Sequence, residues 1–263
     1  MEEQKAEDPG FNTHMPLFVH PKLINLAYQI NLFGITAYIC HMAHFAHHFE
    51  ENYLKALYKL SAREMKKVNN IALSKFMDLN PATVLEMIRK MSEKGLVVVA
   101  PDKSIALTEK GQKKALLIIR RHRLWEVFLV QKLKYSWSEV HELAEQMEHV
   151  ESDDLVNRLD AYLGFPAVDP HGDPIPDKNG KLKTGTVLPL SEGRTNTAYL
   201  VTSFADTDAS FLDYLGKMQV FPGTKVKIVE QLSYDGSSIV KVNKAVYTIS
   251  EKVTRNILVQ LLA

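Results

Sequence analysis

The sequence predicts an α+β chain in which an N-terminal winged helix-turn-helix precedes a helical middle and a small C-terminal β-barrel. Three observations carry this. Residues 50–108 read as helix, helix, helix and β-hairpin, with proline and glycine at the joints. Residues 109–134 and 138–150 keep a helical period of apolar side chains while carrying His and Glu one turn apart. Beyond residue 186 the apolar runs become short and alternate with turn residues, as in small antiparallel sheets.

The 263 residues are 46% hydrophobic and 24% charged, which excludes wholesale disorder. A single cysteine, Cys40, excludes a disulfide framework and a four-cysteine zinc site. The net charge of +1 conceals a division: residues 50–137 hold 18 Lys/Arg against 9 Asp/Glu, and residues 138–180 hold 2 against 11. A basic module suited to a polyanion thus adjoins an acidic one that needs cations. The divisions expected are a partly disordered N-terminal extension (1–49), a DNA-binding module (50–108), a helical metal-binding and dimerisation unit (109–168), a linker (169–185) and the barrel (186–263).

In the extension, Leu23–Met42 approaches the length of a bilayer-spanning helix, but Asn25, Gln29 and Asn31 interrupt it and four histidines cluster at and beyond its end, at 41, 44, 47 and 48. No membrane span is expected, and the acidic start argues against a signal peptide. The stretch reads either as an extra helix docked on the body or as lying before a natural start near Met42. His41, His44 and His48 fall on one helical face, as metal ligands or as a solvated junction.

Glu50–Leu60 puts Tyr53, Leu54, Leu57 and Leu60 on one buried stripe, and Val68–Phe76 is a second short helix. Asp78-Leu79-Asn80-Pro81 supplies a turn, an N-cap and a proline at the first helical position. The third helix, Ala82–Lys94, is expected to bury Val84, Leu85, Ile88 and Met91 and to end at Gly95. Leu96–Ala100 and Ser104–Leu107 then form a hairpin around Pro101-Asp102-Lys103. In such an arrangement the third helix enters the major groove of double-stranded DNA. Asn80, Ala82, Thr83 and Glu86 are the candidates facing bases, and Arg89, Lys90 and Lys103 the candidates for phosphates.

Glu109–Lys134 buries Leu116, Ile119, Val127 and Val130 and carries His122 and Glu126 one turn apart. Ser138–Val150 begins with Ser138 as N-cap and His141 in the partner position of a capping box. On it His141, Glu145, Glu148 and His149 fall within an arc roughly 100° wide, opposite Val140, Leu143, Met147 and Val150, the expected core face. Imidazoles and carboxylates crowded on one strip repel unless a cation sits among them. Nitrogen and oxygen ligands without thiolate suit Mn(II), Fe(II), Co(II) or Zn(II).

The order of these motifs resembles the diphtheria-toxin-repressor (DtxR) family of metal-dependent repressors, including its manganese-sensing MntR branch. The matching stretches are Glu51-Asn52-Tyr53-Leu54-Lys55-Ala56, Glu93-Lys94-Gly95-Leu96-Val97, Arg121-His122-Arg123-Leu124 with Glu126, His141 through Val150, and Gly172-Asp173-Pro174-Ile175-Pro176. The resemblance spans about residues 50–263. It implies a primary regulatory metal site at Glu145, Glu148 and His149, with Asn52 at the position of a further ligand from the first helix. Glu145 stands where iron-sensing members have cysteine and manganese-sensing members glutamate, which leans toward Mn(II), with Fe(II) as runner-up. Lys55 stands where the manganese branch has a Glu ligand, against a binuclear site of that branch's kind. His122, Glu126 and His141 match an ancillary site, to which a C-terminal domain adds ligands, Asp206 or Asp208 being nearest here.

Asp169–Gly185, rich in Pro, Gly and Asp, reads as a linker rather than a packed element. Thr197–Phe204, Lys225–Glu230, Ile239–Val242 and Ala245–Ile249 are β-type, with turns at Pro222-Gly223 and Asp235-Gly236. Leu215-Gly216-Lys217-Met218 leading to Phe221-Pro222-Gly223-Thr224 resembles the SH3-like domain shared by longer family members and FeoA. The expectation is a cytoplasmic homodimeric repressor, not an enzyme, reading a palindromic operator with the metal as corepressor of metal-uptake genes. Leu155, Leu159 and Tyr162 are the expected dimer seam. Two rivals are a metal-independent winged-helix regulator, indifferent to chelator, and a His/Glu metalloenzyme, against which stands the spacing Glu-x-x-Glu-His in place of the Glu-x-x-His of di-iron bundles.

Overall fold

The computed structural model describes residues 48–62, 67–183 and 185–262. The expectations for Leu23–Met42, Cys40, His41 and His44 lie outside the described residues. Helix α1 (48–62) places Tyr53, Leu54, Leu57 and Leu60 in a core shared with α2 (Asn70–Met77), α3 (Pro81–Glu93) and the hairpin β1 (Val97–Val99) and β2 (Ile105–Leu107). The caps explain the boundaries. Asn69 accepts from the Ala72 amide to start α2, and Asn80 accepts from the Ala82 amide at 2.8 Å to start α3 on Pro81. Gly95, at φ +66°, turns the chain out of α3 into β1. Val68, expected inside α2, instead bridges Ile105 and extends the wing. Leu85 is also not in the core. It lies 61% exposed, because it sits well round the helix from the buried line Val84, Ile88 and Met91.

Helix α4 (Glu109–Gln131), capped by Thr108, runs from the winged module into the middle of the molecule. Its first half contributes Ala115 and Ile118 to the first core; Leu124 packs with Val156 and Leu159 of α6 (Asp153–Tyr162) in a second. Helix α5 is shorter than expected, Val140–Met147. Ser138 does not cap it: its hydroxyl meets that of Ser136 at 2.9 Å, and residues 137–139 form a turn. The burial of α5 also reverses the expectation. Val140, Ala144 and Glu148 are buried, while Leu143 and Met147 are half-buried and Val150 is exposed, so the strip of His and Glu faces inward.

The stretch expected as a linker packs at its N-terminal end. Asp169 and His171 are buried, and Arg120 and Arg123 of α4 donate to the Pro176 and Pro174 carbonyls. Gly172, at φ +87°, presses on the Thr202 carbonyl so closely that a Cβ would lie 1.8 Å from that oxygen. The C-terminal unit is a six-stranded antiparallel sheet of order β3-β8-β4-β5-β6-β7. The strands are β3 (Leu188–Pro189), β4 (Ala198–Phe204), β5 (Lys225–Gln231), β6 (Ser238–Val242), β7 (Ala245–Ile249) and β8 (Ile257–Leu261), with α7 (Ala209–Lys217) and α8 (Glu251–Asn256) between them. Register shifts at Val201/Ser203 and Ile228/Glu230 bend it about its own core. No helix among the described residues is long and apolar enough to cross a membrane.

Candidate metal centre and nucleic-acid interface

Three elements converge on the inward face of α5. From α4, His122 and Glu126 stand one turn apart and meet at 3.1 Å. From α5, His141 Nδ1 approaches His122 Nε2 at 3.1 Å and Glu126 Oε1 at 3.2 Å, while Glu148 Oε2 reaches His122 Nδ1 at 2.6 Å. From α1, the Lys55 ammonium donates to Glu145 Oε2 at 2.6 Å and to both Glu148 oxygens at 2.6 and 2.8 Å. Ligand atoms of His122, His141 and Glu145 lie within 4.8 Å of one another, and so do those of Glu126, Asp169 and His171.

The structure therefore redistributes the expected ligands. Glu145 groups with His122 and His141. His149 turns to Glu51 at 2.7 Å and stacks on His48. Glu51 also accepts from Arg121, whose Nε donates to the Glu148 carbonyl. Asp208 is not brought in: its exposed carboxylate accepts from Ser210 as the N-cap of α7, and Asp206 in turn accepts from the Asp208 amide. In its place stand Asp169 and His171, which the sequence reading passed over. The signal was present in Asp169-Pro170-His171-Gly172-Asp173, where ligand-type residues alternate, but Pro and Gly marked the stretch as a linker. Glu51 and Arg121 were missed for want of any spacing rule, since they meet across 70 residues. Asn52 is half-buried, and its amide oxygen is buried without a hydrogen-bond partner among the described residues.

The electrostatics suit a divalent cation. Six carboxylates (Glu51, Glu126, Glu145, Glu148, Asp169 and Asp173) meet four permanent cations (Lys55, Lys59, Arg121 and Arg123). With neutral imidazoles that leaves two uncompensated negative charges. Protons answer part of the excess. Burial, then the charges of Glu126 and Asp173, push Asp169 up to about 7. Burial disfavours a charged His171, but the Glu126 carboxylate 3.7 Å away, helped by Asp169, holds it up at about 9. His122 is raised in the same way against its burial by Glu126 and Glu148. Burial would lift Glu145 and Glu126, but Lys55 lowers the first and His122 the second. Buried imidazole and carboxylate donors and the buried amide oxygen of Asn52 fit a first-row divalent ion, which would take the place of the protons that balance the site without it.

Another face of α1 belongs to the winged module. There Asn80, Ala82, Thr83, Glu86, Arg89, Lys90 and Lys103 are all exposed. Asn80 is committed through Oδ1 to its cap, Lys90 pairs with Glu86 at 2.7 Å, and Lys103, at φ +63°, tips the wing. Exposed Leu85, Val98 and Val99 add an apolar element to this face, absent from the sequence reading.

Residues 48–105 match the family model "Iron dependent repressor, N-terminal DNA binding domain". Residues 108–177 match "Iron dependent repressor, metal binding and dimerisation domain", and residues 188–261 match the FeoA domain. The chain belongs to the DtxR-type family of metal-dependent, DNA-binding transcriptional repressors, a family of regulators and not of enzymes. A solved manganese-dependent transcriptional repressor, in complex with manganese, is 33% identical, with a TM-score of 0.76 over 81% of this chain and 100% of that one. The iron-dependent repressor IdeR of Mycobacterium tuberculosis is 36% identical over 126 residues, 48% of this chain and 54% of its own length. A probable metal transport system membrane protein of Chlamydia trachomatis is 42% identical over 91 residues, 35% of this chain and 20% of that protein. The chain thus spans about half the length of the first curated relatives it matches.

Proposed function

We propose that this protein is a metal-activated repressor in which a divalent ion, Mn(II) before Fe(II), is the corepressor. It acts in the cytoplasm as a homodimer on a palindromic operator in double-stranded DNA, controlling genes for uptake of the metal it senses. The observation that carries the reading is the convergence of α4 and α5 on His122, His141 and Glu145, with ligand atoms within 4.8 Å, beside an exposed recognition helix. An ion among these groups would draw α4 and α5 against α1, the helix that also forms the core of the winged module. Ordering the two winged modules of a dimer relative to each other removes a cost otherwise met on binding DNA, and a coupling of about 1–3 kcal/mol suffices for a switch.

The preference for Mn(II) rests on Glu145, a carboxylate with no thiolate beside it, and agrees with the manganese-dependent relative. The homodimer is supported by exposed Leu155, Tyr162 and Phe165 around α6, an apolar patch that a second copy related by a two-fold axis would cover. Leu159, expected in that seam, is buried within the protomer core instead. Control of uptake genes agrees with the stretch shared with a metal transport system protein.

The test is binding of purified protein to fragments upstream of metal-uptake genes, first in chelator, then in Mn(II) or anaerobic Fe(II). Tight binding only with metal supports the reading, and the metal active at lower free concentration identifies the corepressor. Equal binding in chelator refutes it.

A further inference from the structure

Lys55 enters the site from α1 and is 5% exposed, and its ammonium lies within 2.8 Å of three oxygens belonging to Glu145 and Glu148. Both carboxylates lie on the strip that bears the candidate ligands. A primary ammonium held by two carboxylates makes charge-assisted hydrogen bonds, strongest to Glu148, which is fully buried, and weaker to Glu145, whose side chain is 38% exposed. It satisfies the same lone pairs that a divalent ion would use. Lys55 also has somewhere to go. Beside it opens a cavity of about 470 Å³, whose lining sets Glu126, Asp169 and Asp173 alongside Lys59, Arg123 and Arg255 and leaves room for the displaced side chain to swing into.

We propose that Lys55 is a tethered competitor of the metal: its ammonium holds Glu145 and Glu148, and an ion binds by displacing it. The protein's metal set-point is then the intrinsic dissociation constant of the ligands divided by the fraction of molecules in which Lys55 has let go. If the ammonium is engaged in about 90–99% of molecules, apparent affinity falls roughly 10- to 100-fold below that of the bare carboxylates. Such a device lets a site built from strongly attracting carboxylates respond at an elevated metal concentration instead of remaining permanently filled. This inference rests on the metal-corepressor reading above.

The experiment is direct Mn(II) titration of the full chain without DNA, reading free Mn(II) by electron paramagnetic resonance, for wild type, Lys55→Met and Lys55→Arg. The methionine keeps the buried aliphatic volume and removes the charge; the arginine keeps the charge. Circular dichroism checks that each is folded, and Lys55→Gln replaces the methionine variant if that one is not. The expected result is Mn(II) binding at least tenfold tighter in Lys55→Met, or in its Gln substitute, with Lys55→Arg within a few-fold of wild type. Unchanged or weaker binding in the uncharged variant, while wild type binds Mn(II), overturns the competitor role and leaves the corepressor reading standing; it would make Lys55 an organiser of the carboxylates. Mn(II) uptake by neither wild type nor the uncharged variant overturns the corepressor reading itself, and the inference with it.

Discussion

Replacing Gly172 with alanine tests whether the 169–174 loop is a fixed part of the site. Two separate costs are readable from the structure. At φ +87° an alanine adopts a left-handed conformation, at about 1–2 kcal/mol. The added Cβ would also lie 1.8 Å from the Thr202 oxygen, 2.8 Å from its carbonyl carbon and 3.0 Å from Ser203 Cα. All three are backbone atoms of β4 at its register shift, so no rotamer change relieves the overlap. Loop and strand must part by well over an ångström. That forfeits the His171 ring N–H bond to the Trp137 carbonyl and loosens the Arg123 bond to Pro174 O, at roughly 1–2 kcal/mol each. The expected loss is about 3–5 kcal/mol, or on the order of 10 °C in Tm. Gly164→Ala is the matched control: its φ is +78°, but nothing lies within 4 Å of the added Cβ, so only the backbone term of about 1–2 kcal/mol applies. Thermal unfolding followed by circular dichroism, in chelator, compares the two. Equal shifts in both variants would refute the claim that the loop is clamped to the sheet.

Arg121→Met leaves the fully buried Glu51 carboxylate without its guanidinium partner and should destabilise the protein by about 3–5 kcal/mol, read from urea unfolding; a change under about 1 kcal/mol would show that His149 alone can carry that charge. Stability in chelator should fall as pH rises. His171, held at about 9 against an ordinary 6.5, binds its proton more tightly folded than unfolded, so its contribution of about 3 kcal/mol is complete below pH 6.5 and is lost by pH 9. Asp169, raised from 3.8 to about 7, works in the same direction at lower pH. A urea midpoint that is flat or rises between pH 6.5 and 9 would contradict this.

The winged module was legible because its signals are local. Asn80 before Pro81, and Gly95 after Glu93, mark the ends of α3 by backbone chemistry that acts within a few residues. The later strands were legible for the same reason, their alternation and turns fixing Ala198–Phe204 and Ala245–Ile249 almost to the residue. The site was legible only in part. Helical spacing put His122 beside Glu126 and His141 on one face with Glu145, but could not say which way that face pointed. The arc of His and Glu reads as a cation-binding strip, but one set opposite the core face because carboxylates are rarely buried. Here Lys55, Arg121 and Arg123 come from other elements to make burial tolerable, and such long-range pairing leaves no periodic trace. Nor was there any sign in the sequence that the Asp208 carboxylate answers a local demand, the N-cap of α7.

Helix α1 turns one face, with Glu51, Lys55 and Lys59, to the acidic site, and another, with Tyr53, Leu54, Leu57 and Leu60, to the core of the winged module. A helix is stiff over its length, so the two faces move as one body. Glu51 and Ser61 are separated by roughly 15 Å along the axis at 1.5 Å per residue. A tilt of about 10° at Glu51 therefore moves the far end by nearly 3 Å, about one base-pair step along a DNA duplex. A rearrangement of charge around the two carboxylates that tilted α1 would therefore be felt in the core beneath the DNA-facing surface without any intervening segment unfolding.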